Sequence, residues 1–97
     1  MATYVSLVNW TEQGIRNFPE TIQRAQQFTR LVEGNNGTVR ELFWTLGQYD
    51  LVCIADFPDE ETGVAVLLQV SAQGNVRTST LRAFDAAEMT DIIRRTS

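Results

Sequence analysis

The chain has 97 residues, of which 43% are hydrophobic and 21% charged, the composition of one small globular domain rather than a disordered segment. Its net charge of −4 argues against a nucleic-acid backbone as the main partner, because such recognition begins with a basic face. All eight cations are arginine, with no lysine and no histidine, which excludes Schiff-base chemistry, imidazole general bases, Ser-His triads and the commonest metal ligand.

In chain order, Thr3 to Trp10 is rich in β-formers and reads as a first strand, broken by Thr11-Glu12-Gln13-Gly14. Phe18, Ile22, Ala25, Phe28 and Val32 then recur at spacings of three and four, which predicts an amphipathic helix with Pro19 in its first turn. Gly34-Asn35-Asn36-Gly37 ends it with residues that tolerate positive φ. Val39 to Leu46 and Tyr49 to Phe57 read as second and third strands. Only Gly47 and Gln48 separate them, which predicts a tight type II′ hairpin.

Asp59 is a natural N-cap for a second helix from about Glu60 to Ala72, with Glu60 and Glu61 at the favourable end of its dipole. The run Val64 to Leu68 also fits a strand. Gly74-Asn75 stops the element, and Val76 to Ala83 is a fourth strand. A last short helix follows. Asp85 and Glu88 form a capping box, Phe84 is placed to staple onto Met89, and Met89, Ile92 and Ile93 are its expected buried stripe. The order β-α-β-β-α-β plus a terminal helix is the ferredoxin-like signature, an α+β fold with both main helices on one face of a four-stranded antiparallel sheet.

Two helices shelter one face, so a solitary sheet should alternate apolar and polar residues. Leu51 to Ala55 are instead apolar at five consecutive positions, Val5 and Leu7 oppose Tyr4, Val8 and Trp10, and Phe43 stands back to back with Trp44. Burying one such side chain contributes roughly 1.5–3 kcal/mol. A two-fold homodimer through the open face is therefore expected, the alternative being a terminal helix folded back over it.

Cys53, the only cysteine, precludes an internal disulfide and a thiolate zinc site, and its place in an apolar strand makes it a core residue. Asp59, Glu60 and Glu61 are explained by capping, so no metal or cofactor is expected. No stretch approaches the roughly 20 apolar residues of a membrane span. No basic segment precedes the first apolar residues, so the expected location is cytoplasmic, with no membrane partner.

Three segments carry a resemblance: Asn9-Trp10-Thr11-x-Gln13-Gly14-Ile15-Arg16, Trp44-Thr45-Leu46-Gly47-x-Tyr49-Asp50-Leu51-Val52, and Gly74-Asn75-Val76-Arg77-Thr78-x-Thr80-Leu81-Arg82-Ala83-Phe84. Together they resemble the GYD domain family, whose Gly-x-Tyr-Asp turn is present as Gly47 to Asp50. The resemblance implies a ferredoxin-like fold of the dimeric α/β-barrel type and no established reaction. The hairpin alone is similar to one in the effector-binding domains of leucine-responsive regulators.

Candidate ligand-binding residues follow in three groups. Tyr49 and Asp50 offer a polar hairpin edge, unless Asp50 serves nearby backbone N–H groups and Tyr49 packs. Asn9, Trp10, Thr11 and Gln13 lie where the first strand meets a loop, the usual place for function on a scaffold, unless they organise the turn and fill an interface. Thr78, Thr80 and Arg82 share a face of the fourth strand. Arg77 points to the other face, so Arg82 is the single anion candidate, unless it pairs with a carboxylate. The expected function is a homo-oligomeric, non-catalytic module that binds a small ligand or partner. A cofactor-independent oxygenase or isomerase using Asn9, Trp10, Tyr49 and Arg82, and a purely structural oligomer, are the alternatives.

Overall fold

The computed structural model describes residues 1–97. Its elements run β1 (Ala2–Trp10), α1 (Glu12–Arg16), a 3-10 turn (Phe18–Glu20), α2 (Thr21–Gly34), β2 (Thr38–Trp44), β3 (Leu51–Phe57), α3 (Glu60–Ala72), β4 (Val76–Ala83) and α4 (Ala86–Arg94). The sheet is antiparallel in the order β2-β3-β1-β4, so the two strands in the centre are β1 and β3. This is the expected ferredoxin-like α+β topology.

Strand alternation divides the sheet into two unlike faces. Ala2, Tyr4, Ser6 and Val8 of β1 and Leu51, Cys53, Ala55 and Phe57 of β3 point to one side and are buried. There they meet Val32 of α2 and Val66 of α3, both almost fully enclosed, to form the core. Gly63 lets α3 approach closely, since a Cβ there would lie 2.9 Å from the Tyr4 ring. The opposite face carries Val5, Leu7, Val52 and Ile54 half-buried, with Phe43 and Leu81 exposed at its flanks.

Local signals place α3 and β4 where the sequence predicts them. Asp59 accepts a hydrogen bond from the Thr62 N–H at 2.7 Å, and bonds from Thr62, side chain first and then backbone, hold its carboxyl below the usual value. The Val64 to Leu68 run is helix, not strand.

Elsewhere the structure corrects the expectation. The segment after β1 is no simple break: Thr11 caps the short helix α1 by accepting from the Gly14 N–H. Phe18 and Pro19 form a 3-10 turn rather than the start of α2, and Phe18 and Ile22 are exposed, so only Ala25, Phe28 and Val32 face inward.

The β2–β3 connection is six residues, Thr45 to Asp50, not two. Gly47 does adopt positive φ, at 110°. The paired ladder nevertheless ends at Trp44 and Leu51; beyond it Asp50 is held from both sides, its carbonyl accepting from the Thr45 N–H and its own N–H donating to the Val8 carbonyl, each at 2.8 Å. Strands two and three are shortened accordingly.

The largest departure is α4. Its capping box forms, with Asp85 and Glu88 each accepting the other's N–H. Yet no residue of the helix is buried, and Met89 and Ile93 are exposed. Of its apolar stripe only Ile92 is half-buried, and the helix is not packed over the open sheet face. The radius of gyration, 14.6 Å with a long axis of 52 Å, exceeds the roughly 12.5 Å expected for a compact chain of this length.

Candidate functional site

Between the buried sheet face and the helices lies a cavity of about 320 Å³, at the lower end of the range for small-molecule sites. Its floor is Ser6, Val8 and Trp10 of β1, Leu51 and Cys53 of β3, Leu42 of β2, and Val76 and Thr78 of β4. Ala25, Phe28 and Leu31 of α2 and Leu67 and Val70 of α3 form its walls. Polar groups come from Thr21, Arg24 and Gln27 on α2 and from Gln73 and Asn75 after α3. An apolar body with a few polar groups suits binding by shape and burial, with orientation fixed by hydrogen bonds.

The three segments that carry the family resemblance meet at this end of the sheet. Thr11 donates its N–H to the Asn75 carbonyl at 3.0 Å and its hydroxyl to the Gly74 carbonyl. Gln13 donates from Nε2 to the Gln73 carbonyl and to Asn75 Oδ1, at 3.2 and 2.9 Å. Gly14 is required by the same contact: a Cβ there would collide with the Asn75 carbonyl oxygen. Asp50 Oδ2 accepts from the Trp10 N–H at 2.9 Å, while the Tyr49 carbonyl accepts from the Thr45 hydroxyl at 2.6 Å. These groups clasp the β1–α1, β2–β3 and α3–β4 connections together at one end of the cavity.

Of the nine candidate residues, Trp10 and Thr78 line the cavity. Thr11, Gln13 and Asp50 belong to the clasp, while the half-buried Tyr49 bonds through its carbonyl within the β2–β3 connection. Thr80 Oγ1 lies 3.0 Å from Ser6 Oγ in a cross-strand hydroxyl pair. Asn9 stands on the open face opposite Arg77.

Arg82 sits at the far end of β4, opposite Tyr4. Its guanidinium donates to the Thr3 and Ala83 carbonyls and lies 3.6 Å from a Glu60 oxygen and 3.8 Å from a Glu88 oxygen. It also stacks 4.5 Å above the Phe84 ring. Burial first, then the Glu60 carboxylate, pushes the neighbouring Tyr4 phenol up from its usual value, with Arg82 opposing. Asn9, Trp10, Tyr49 and Arg82 thus stand on two faces and at two ends of the sheet and do not converge.

Arg24, Gln73 and Asn75 are cavity residues that the sequence reading does not single out. A signal exists for Arg24. It precedes Phe28 and Leu31 by four and seven positions, which places a cation on the inward face of an amphipathic helix.

Known proteins agree with this architecture. A curated relative, the glutamine synthetase and cystathionine beta-lyase binding protein of Thermus thermophilus, is 27% identical over 90 residues, covering 92% of this chain and 95% of its own. The crystal structure of TTHA0845 from Thermus thermophilus, also 27% identical, superposes with a TM-score of 0.57 over 89% of this chain and 96% of that one. The leucine response regulatory protein of Mycobacterium tuberculosis, at 12% identity, shares the fold alone. Its TM-score is 0.65, covering 88% of this chain and 51% of that one. The model of the GYD domain matches residues 4–93, and the chain belongs to the GYD domain family.

Proposed function

We propose that this chain is a cytoplasmic, non-catalytic binding module that works as a homo-oligomer, its sheet faces divided between two tasks. The observation that carries the reading is a sheet apolar on both sides. One side opens onto a ligand-sized cavity, and the other is bare. The bare side, with Val5, Leu7, Val52 and Ile54, is the seat of a second copy, in the manner of a dimeric α/β barrel. Asn9 then belongs to the interface, while Trp10 and Thr78 contact the ligand. Thr11, Gln13, Tyr49 and Asp50 hold the end of the cavity in shape. Thr80 and Arg82 lie outside it, and an enzymatic site built on Asn9, Trp10, Tyr49 and Arg82 has no common point of action.

The accessible surface is 6446 Å², whereas a monomer of 10.9 kDa is expected to expose about 5,600 Å². The surplus, close to 850 Å², is about one partner's share of a standard protein interface. It supports association as the state in which the fold is complete.

Thermal-shift screening of the purified protein against a broad set of small metabolites tests the ligand half of the proposal. Saturable stabilisation that is lost in a Val70→Trp variant, which fills the cavity, is the expected result. No stabilisation by any of them would remove it.

A protein partner is the second reading. It is favoured by the Thermus relative, named for binding two enzymes, and by the exposed Ile22 and Trp44, which line a shallow groove beside α2. Co-purification with glutamine synthetase, abolished by Trp44→Ala and untouched by Val70→Trp, distinguishes it from the first.

A further inference from the structure

We propose that the cavity takes an uncharged, largely apolar molecule of bicyclic size, whose polar oxygen meets the Thr78 hydroxyl. The inference rests on the small-ligand reading above and names the chemical class of that ligand.

The cavity lining holds a single charged side chain, Arg24 on α2. Its guanidinium is closed to a guest. Nη2 is spent on the Gly14 and Asn17 carbonyls, at 3.1 and 2.7 Å, while Nε and Nη1 have no surface that water can touch. A carboxylate head entering the cavity would therefore shed its hydration without meeting a guanidinium N–H. An ammonium head would be desolvated beside a charge of its own sign. Burying a charge without a partner is far costlier than burying a neutral polar group. The Cys53 thiol on the floor adds no charge, because burial keeps it protonated. The chain's net charge of −4 gives anions no help at long range either. Both signs of ligand charge are disfavoured, and a neutral molecule is not.

The volume sets the size. The cavity's 320 Å³ is roughly twice the 150 Å³ of an apolar cavity that takes up one benzene. Phe28, Leu31, Leu67 and Val70 supply apolar walls for such a body. Two reachable polar groups remain in the lining. The Thr78 hydroxyl and the Asn75 amide N–H₂ bond nothing in this chain, and neither is shut off from water. Asn75 Oδ1, by contrast, is taken by Gln13 Nε2. Thr78 stands on the cavity floor opposite Val8 in the β1–β4 ladder. A hydroxyl both donates and accepts, so it serves a ligand hydroxyl or carbonyl equally.

The test uses 2-naphthol, 2-naphthoate and 2-naphthylmethylammonium, which share a bicyclic body and at neutral pH are uncharged, anionic and cationic. Each is titrated into the ¹⁵N-labelled wild-type protein, following the Trp10 indole N–H and the Ala25 and Val70 amides. The expected result is saturable 2-naphthol binding at these signals, tighter than either ion by at least about ten-fold. Thr78→Val keeps the side-chain shape and should weaken 2-naphthol by about three-fold or more through one lost hydrogen bond. A charged probe that binds as tightly as 2-naphthol would overturn the uncharged class while leaving a small-ligand cavity intact. Unchanged 2-naphthol affinity in Thr78→Val would overturn the polar contact. Binding of none of the three would overturn the class and, together with a blank metabolite screen, the small-ligand reading as well. Shifts confined to Leu7 and Ile54 would place the probe on the open sheet face and overturn the site. The wild-type series decides the question of charge without any variant.

Discussion

At Cys53, burial in the middle of β3 pushes the thiol up to about 11, from an ordinary value of 9.0. The side chain is therefore a neutral core group at physiological pH, and a thiol-directed reagent should react with it only as fast as the chain opens. The sign for stability follows from the raised folded value. The contribution is complete below pH 9 and is lost as pH rises towards 11, on the order of 2 kcal/mol. Tyr4, also shifted upward by burial and by Glu60, adds to alkaline destabilisation in the same direction. Urea denaturation at about pH 8 and about pH 10.5 should show the loss, and Cys53→Ala should remove the thiol's share of it. Gly14 provides a second test at this scale. Its Cβ position is taken by the Asn75 carbonyl oxygen, so Gly14→Ala must move backbone against backbone. It should cost about 1–3 kcal/mol, and each kcal/mol lowers the melting temperature of so small a domain by about 4–8 °C.

Among the elements, α4 is the one whose sequence pattern and packing disagree. Nine residues are too few for a helix stable in isolation, yet Met89, Ile92 and Ile93 form an apolar stripe of which this chain covers only Ile92, and that one partly. In the proposed homo-oligomer, a surface contributed by a second copy covers the stripe. Ile92→Asp combined with Ile93→Asp should therefore weaken association at least about ten-fold, by roughly 1.4 kcal/mol or more, and leave the circular dichroism of the sheet and main helices unchanged. Dissociation constants from sedimentation equilibrium check it; an unchanged constant would show that the stripe plays no part. The same helix marks the boundary of what is legible in the sequence. Asp59 and the Asp85–Glu88 box can be read because both partners lie within three residues. The stripe of α4 can be read as a stripe, but nothing local says what covers it. The β2–β3 connection escapes local reading for a similar reason. Gly47 announces positive φ, but the length of the turn is set by Asp50 bonding Val8 and Trp10 on a strand far away in the chain. The setting of Arg24 escapes local reading too, because its bonds to the Gly14 and Asn17 carbonyls exist only once α1 and α2 are packed.

For the whole molecule, the proposed homo-oligomer accounts for three features together: the surface surplus, the extended shape and the bare apolar sheet face. Leu7, at the centre of that face on a central strand, is the position where a charge should do the most harm to association and little to the isolated fold. A Leu7→Lys variant should dissociate at concentrations where the wild type does not. Sedimentation velocity of the wild-type protein over a wide concentration range puts the central claim to the most direct test. A species of at least twice the 10.9 kDa chain mass, reduced to single-chain mass by Leu7→Lys, is the predicted result. A stable single-chain species at the highest concentrations reached would contradict it.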